Sequence, residues 1–578
     1  MLLGQAPWVV QWLTPIWILS IGVTLGLIGL VALGGLFWLL SRIPVIGELG
    51  TDRNRRTRAT WIGTAIAAPI YLAFVYPIVA KAWGVADKGP NVLLGCILLA
   101  PLCYMIPRSL VMLVTRRNVR EFPETLREGA LWPILWVALG FTLFTGLGIT
   151  VVRNPGEYLK ALQRWATLST ITKTYRIEPR PAEAIGDTYQ EIQISFRRNE
   201  LASMSFQSTE NVEVRSRPVE EDLTLNSRVI DITTRSREQW APNPMALRQI
   251  FSAETIDTLY VLNRGSTAAD LSVSVELRPA IPEIVIIPIA AGSVMAVFLL
   301  YFVQRATMPR MSAVALATLK SELAQPLFLI VIILGVVSLV AFIVVPGNTF
   351  GEDIKILKDS GLTLIKILAM FQAIWAASVS VSEEIEGRTA LTVLSKPIDR
   401  RSFILGKFLG ISWTVALVFI ILGSVFLLTV AYKPIYDARE GSIDDPTWQS
   451  CYWEMTRVIP GLVLSFMETL VLAAISVAIS TRLPMMGNFT ICFTIYVLGN
   501  LAPMLVQTSE TQFPIVRFFA QLIATIFPNL ESFNTYAAIA GGRDVPLEYL
   551  AGAGLYCLIF TLISMLLALL LFEDRDLA

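Results

Sequence analysis

Residues 16–40 read IWILSIGVTLGLIGLVALGGLFWLL, a run of helix-compatible apolar side chains with no charge in it. A helix needs about 20 such residues to cross the hydrocarbon of a bilayer, so this run is long enough to span. Back toward the start of the chain, residues 1–41 contain no charged side chain at all, and Arg42 is the first. A cleavable leader has a basic segment ahead of a short apolar core, so the run reads as a retained membrane helix. Gly22 and Gly26, four residues apart, leave a face on which another helix can approach closely.

Forward of Arg42, apolar stretches recur at about 61–83, 91–107, 130–152, 282–303, 326–346, 362–382, 403–431, 458–480, 485–507 and 547–572. With the first, they predict about eleven transmembrane helices. Phe513 to Phe527 is shorter and interrupted by Arg517, and reads as an interfacial or re-entrant helix. The whole chain agrees with a polytopic α-helical membrane protein. Of its 578 residues 54% are hydrophobic and 16% charged, where soluble domains carry about 25% charged.

Composition also excludes function classes. The chain has no histidine, which removes imidazole-based triads, metal sites and proton relays. Lys plus Arg and Asp plus Glu nearly cancel at a net charge of +1, so there is no electrostatic footprint for nucleic acid. The five cysteines are scattered, without a C-x-x-C pair, and argue against a disulfide framework or zinc site.

Arginine placement predicts the orientation. Arg42, Arg53, Arg55, Arg56 and Arg58 crowd the first loop, and Arg108, Arg116, Arg117, Arg120 and Arg127 the third. Arg388, Lys396, Arg400, Arg401 and Lys407 follow the seventh span. If spans alternate, all three clusters share one side, and the positive-inside rule makes it cytoplasmic. The N-terminus is then outside, the C-terminus cytoplasmic, and the expected location a plasma (bacterial inner) membrane.

Residues 153–280 differ in kind: 16 basic and 17 acidic side chains bring this stretch to the soluble norm. After a helix from Pro155 to about Thr170, apolar and polar residues alternate at 190–196, 211–214, 229–232, 258–262 and 270–277. Period-two alternation between turn residues predicts an inserted β-sandwich-like domain, extracytoplasmic by the orientation above. No nucleophile motif occurs in it, so it reads as a binding or packing module.

The stretch that bears on function runs from Ser382 to Lys407, SEEIEGRTALTVLSKPIDRRSFILGK. Physically it is an acidic helix end, a short amphipathic helix, a break at Pro397, and Asp399 as N-cap of the next membrane helix. It resembles the ABC-2 class of ABC-transporter permeases, whose pattern E-x-E-x-G-T-x-x-x-L-L-S-x-P-x-x-R-x-x-x-x-x-G-K lies between the second and third spans of a six-span unit. Glu384, Glu386, Gly387, Thr389, Leu394, Ser395, Pro397, Arg400 or Arg401, Gly406 and Lys407 match it. Arg388 between glycine and threonine, and Val393 before Leu394, depart from it.

The resemblance covers about 304–578. It implies a cytoplasmic elbow helix at 304–325 and a six-span permease unit at 326–578. The remainder is an N-terminal membrane region (1–152, four spans), the β-rich domain (153–280) and a fifth span (281–303). A coupling elbow at 383–401 would dock a cytosolic ATPase through Glu383, Glu384, Glu386, Gly387, Arg388, Thr389, Pro397, Arg400 and Arg401. No G-x-x-x-x-G-K-[ST] occurs in the chain, so it is read as a transport subunit, not an enzyme, with no cofactor of its own. ATP and Mg would be held by the partner ATPase. The other implied partners are a second permease chain and membrane lipid, with no nucleic acid, and the usual direction is export.

Lys366 and Glu468 are among the charges that fall inside expected spans. Lys366, toward the outer end of the seventh, is expected to snorkel to the headgroups. Glu468 sits mid-span, where a carboxylate costs about 2.5–3.5 kcal/mol unless paired or protonated. It either lines a substrate path or fixes helix packing. Glu468 also keeps open a proton-coupled secondary transporter, and the β-rich domain a membrane-anchored ligand-binding sensor.

Overall fold

A computed structural model describes residues 7–70, 103–152, 154–165, 168, 170–179, 189–215, 230–233, 238–240, 254–344, 352–384, 399–509 and 514–573. Contacts divide the chain into two units, Met1–Val152 with Ile287–Ala578, and Arg153–Ile286.

The first unit opens with α1 (Pro7–Arg42), α2 (Arg53–Ile70), α3 (Cys103–Val114), α4 (Arg116–Glu128) and α5 (Leu131–Gly148). Helices α1 and α5 are joined by polar contacts that hydrocarbon cannot compete for. Trp17 Nε1 donates to the Thr145 carbonyl at 3.1 Å, and the Thr145 hydroxyl lies 2.8 Å from that of Ser20 and 2.9 Å from that of Thr24.

In the second unit, α6 (Pro155–Trp165) precedes eight strands: β1 (Ile171–Ile177), β2 (Gln190–Arg197), β3 (Leu201–Ser208), β4 (Val212–Arg215), β5 (Ile230–Ile232), β6 (Glu238–Trp240), β7 (Thr255–Asn263) and β8 (Ala269–Leu277). They form two four-stranded antiparallel sheets, ordered β1-β8-β3-β6 and β2-β7-β4-β5. The alternation sends Ile192, Ile194 and Phe196 of β2 and Leu271, Val273 and Val275 of β8 into one apolar cluster between them. The sequence pattern missed β1, β3 and β6: ITKTYRI and LASMSFQS carry mostly small or polar residues and register only through pairing with β8, and the three-residue EQW only through pairing with β3. Glu213 is buried on β4. Burial pushes its carboxyl up, but Arg215, Arg264 and the Tyr189 hydroxyl, all donating to it, outweigh that and hold it below the ordinary glutamate range.

The first unit resumes with α7 (Ile286–Thr307), α8 (Pro309–Ala324), α9 (Pro326–Ala341), α10 (Asp353–Ala377), α11 (Arg400–Glu440), α12 (Trp448–Arg457), α13 (Ile459–Ser480), α14 (Met485–Ser509), α15 (Pro514–Ile526), α16 (Tyr536–Ala540) and α17 (Leu547–Glu573). Gly22 and Gly26 of α1 meet α7, where a Cβ would lie 2.6 Å from the Ile287 carbonyl and 2.8 Å from that of Ala291. Helices α8 and α9 are bent by 64° across Gln325. Both breaks, at Met308 and Gln325, precede a proline, whose ring crowds the preceding residue out of the helical region. The helix expected at 304–325 is therefore Pro309–Ala324, because α7 runs on through Thr307.

Among the described residues, eight helices are long and apolar enough to cross a membrane, and the bent pair makes nine. They take up nine of the expected positions, and the spans at 61–83 and 91–107 lie largely outside the described residues. Helix α15 has 13 residues, too few to cross. The main core is built by α9, α10, α11, α13 and α17, while Leu558, Leu562 and Leu566 of α17 are exposed, as a lipid-facing surface would be.

Candidate functional site: the coupling segment and the buried ion pairs

Helix α10 changes pitch before it ends. From Ser378 to Glu383 it widens into a π-helix, a rare form that is frequent at functional sites. Ser378 Oγ donates to the Ile374 carbonyl at 2.8 Å, and Ser382 Oγ to the Leu483 carbonyl at 3.0 Å. The Asn488 amide of α14 lies 2.8 Å from Ser378 Oγ, 2.8 Å from Ser476 Oγ and 2.9 Å from Ser480 Oγ, all buried. A polar knot thus fixes the π turn to α13 and α14.

The sequence-predicted coupling residues divide at this turn. Glu386, Gly387, Arg388, Thr389 and Pro397 lie outside the described residues, as does the side chain of Glu383. Glu384 is half-buried, and its carboxylate accepts from the buried Lys407 ammonium of α11. Glu384 thus fastens the end of α10 to the first turns of α11. Asp399 stands at the N-cap position of α11, but its side chain makes no cap hydrogen bond and lies instead 3.5 Å from Arg310 of α8. Arg400 Nη1 donates to the Glu573 carbonyl at 3.1 Å. Arg401 is exposed and makes no ion pair among the described residues.

Directly above this base, α11 crosses α8 at close range. A Cβ at Gly406 would lie 2.6 Å from Val314 Cβ, and one at Gly410 would lie 2.7 Å from the Ala315 carbonyl. The Gly406-Lys407 pair of the motif thus has two structural roles, close helix approach and a countercharge for Glu384.

Deeper in the core, Lys366 is 3% exposed and Glu468 fully buried. Lys366 Nζ of α10 lies 3.2 Å from Glu468 Oε2 of α13, and 4.8 Å and 5.6 Å from the Tyr536 and Tyr496 ring centres. Lys366 does not snorkel. It faces inward because Glu468 is there to receive its charge. The two side chains thus form an ion pair shut away from solvent. The sequence reading also missed buried Lys358, on the same face of α10, which is paired with Glu454 of α12. Its signal was a lysine just ahead of the expected span.

The sequence profile of the ABC-2 family transporter protein matches residues 284–577, just over half of the chain. The chain belongs to the ABC-2 transporter family. No curated protein sequence matches it. The ABC-2 match begins at residue 284, so it takes in α7, which the resemblance from residue 304 onward had left outside. At the level of the family, this is a multi-pass membrane permease, a transport subunit rather than an enzyme, and ABC-2 permeases partner an ATPase subunit.

Proposed function

We propose that this ABC-2 permease is the membrane-spanning subunit of an exporter, driven by a separate ATPase docked on the 383–401 segment. The observation that supports this is the bracing of both ends of the segment. Glu384, near its start, pairs with Lys407 of α11, and Asp399, near its end, with Arg310 of α8, so α10, α11 and α8 share its base. A push delivered there passes into three helices at once. In this reading ATP, with its Mg held by the partner, closes a pair of ATPase chains beneath two permease chains, tilting α10 and α11, and hydrolysis resets them. By the positive-inside rule, the arginine clusters support a cytoplasmic segment and C-terminus, with the N-terminus and β-rich unit outside. Glu468, which kept proton coupling open, lies against a lysine that accounts for its charge.

Purification of the full chain in mild detergent from its native membrane tests the proposal. An ATPase should co-purify, and Arg401→Glu, which disturbs no described ion pair, should reduce that association roughly tenfold by opposing like charges. Undiminished association of the reversed variant would remove the docking assignment.

A further inference from the structure

We propose that the corner formed by α1, α4 and α7 binds one anionic phospholipid, with its phosphate among Arg42, Arg116 and Arg120 and an acyl chain in the cavity beside them. Two adjoining cavities carry the inference. One, of about 290 Å³, is walled by apolar side chains including Leu30, Phe37, Phe122, Leu126 and Phe302. The other, of about 170 Å³, is lined by the three arginines with Ser41. Trp38 and Val119 belong to both walls, so the polar and apolar spaces meet at one edge.

The charges call for an anion. Arg42, Arg116 and Arg120 are exposed and make no ion pair among the described residues, whereas neighbouring Arg117 is matched by Glu121 at 3.2 Å. Arg42 is aimed by stacking its guanidinium 4.5 Å from the Trp38 ring centre. Arg116 opens α4, whose first turn has no acidic residue. Positive side chains at the positive end of a helix repel unless an anion lies among them. A soluble anion would satisfy the arginines but leave the apolar cavity without a tenant. A lipid uses both, and anionic headgroups are enriched in the cytoplasmic leaflet, where the orientation proposed above puts this corner. Such a lipid would bridge the N-terminal helices to α7, against whose Phe302 ring Phe122 packs with centres 4.8 Å apart.

The test uses the full chain in nanodiscs of phosphatidylcholine containing a minor fraction of phosphatidylglycerol, with retained lipid measured by native mass spectrometry after detergent release. Two variants separate the parts. Arg42→Gln with Arg116→Gln and Arg120→Gln removes the headgroup site. Gly34→Leu fills the cavity, because a Cβ there meets nothing within 4 Å and leucine favours the helix over glycine. Wild type should retain phosphatidylglycerol over phosphatidylcholine, and each variant should lose that preference by about tenfold or more. Unchanged melting in pure phosphatidylcholine shows that a variant has folded, whether or not it transports. Loss in the arginine variant alone would overturn the seated chain and leave diffuse attraction. Preference surviving in both variants, or stabilisation of the wild type by inorganic phosphate as strong as by the lipid, would overturn the site.

Discussion

Lys366 and Glu468 sit where neither is tolerated alone, and each accounts for the other. Removing one partner of a buried pair strands a charge and costs about 3–5 kcal/mol, while replacing both by apolar groups is often neutral or stabilising. Lys366→Met is therefore expected to destabilise the chain by that amount. The double change Lys366→Met with Glu468→Leu should restore most of the loss, as read from thermal unfolding in detergent. A Lys366→Met variant as stable as wild type would mean the pair carries no packing energy. Transport by the double variant answers a separate question, since a carboxylate on the substrate path would be missed even when the fold is restored.

The crossing of α8 and α11 is set by absence of side chains. At Gly410 the obstructing atoms are the Ala315 backbone carbonyl and Thr318 Cβ, neither the tip of a flexible chain. Any added carbon forces the helices apart, and overpacking of this kind costs about 1–3 kcal/mol. Gly410→Leu is expected to lower thermal stability accordingly and, by moving the elbow helix off α11, to depress transport more than stability. Retention of both wild-type values would show that the close approach is incidental. The bend between α8 and α9 has a different origin, in Pro326 and the extended Gln325 before it, and should persist in that variant.

For the molecule as a whole, the orientation proposal makes an expectation that neither the fold nor the family match supplies. Arg235→Cys, in the β-rich unit, should be labelled by an impermeant maleimide applied to intact cells, above the background of the chain's own cysteines. Thr392→Cys, in the coupling segment, should react only after the membrane is opened. The reverse pattern would invert the map, and with it both the ATPase side and the leaflet that offers lipid to Arg42, Arg116 and Arg120.

What was legible in the sequence is local in origin. Spans follow from unbroken apolar runs, and strands β2 and β8 from period-two alternation. The Gly22–Gly26 face follows from four-residue helical spacing, and the coupling motif from residues in one contiguous stretch. Each signal lies within a few turns of chain, where backbone sterics and solvent preference act directly. Partnerships had to wait for packing. Asn488 reaches Ser378 across 110 residues of sequence, and Lys366 meets Glu468 because α10 lies against α13. Glu384, which in the sequence reads as a charge free to dock, turns inward because α11 presents Lys407 to it. A run of sequence specifies the chemistry a helix carries. Which charge or hydroxyl that chemistry meets is decided by the helices it packs against, since inside a membrane a buried polar group has no water to fall back on and must find its partner in the fold.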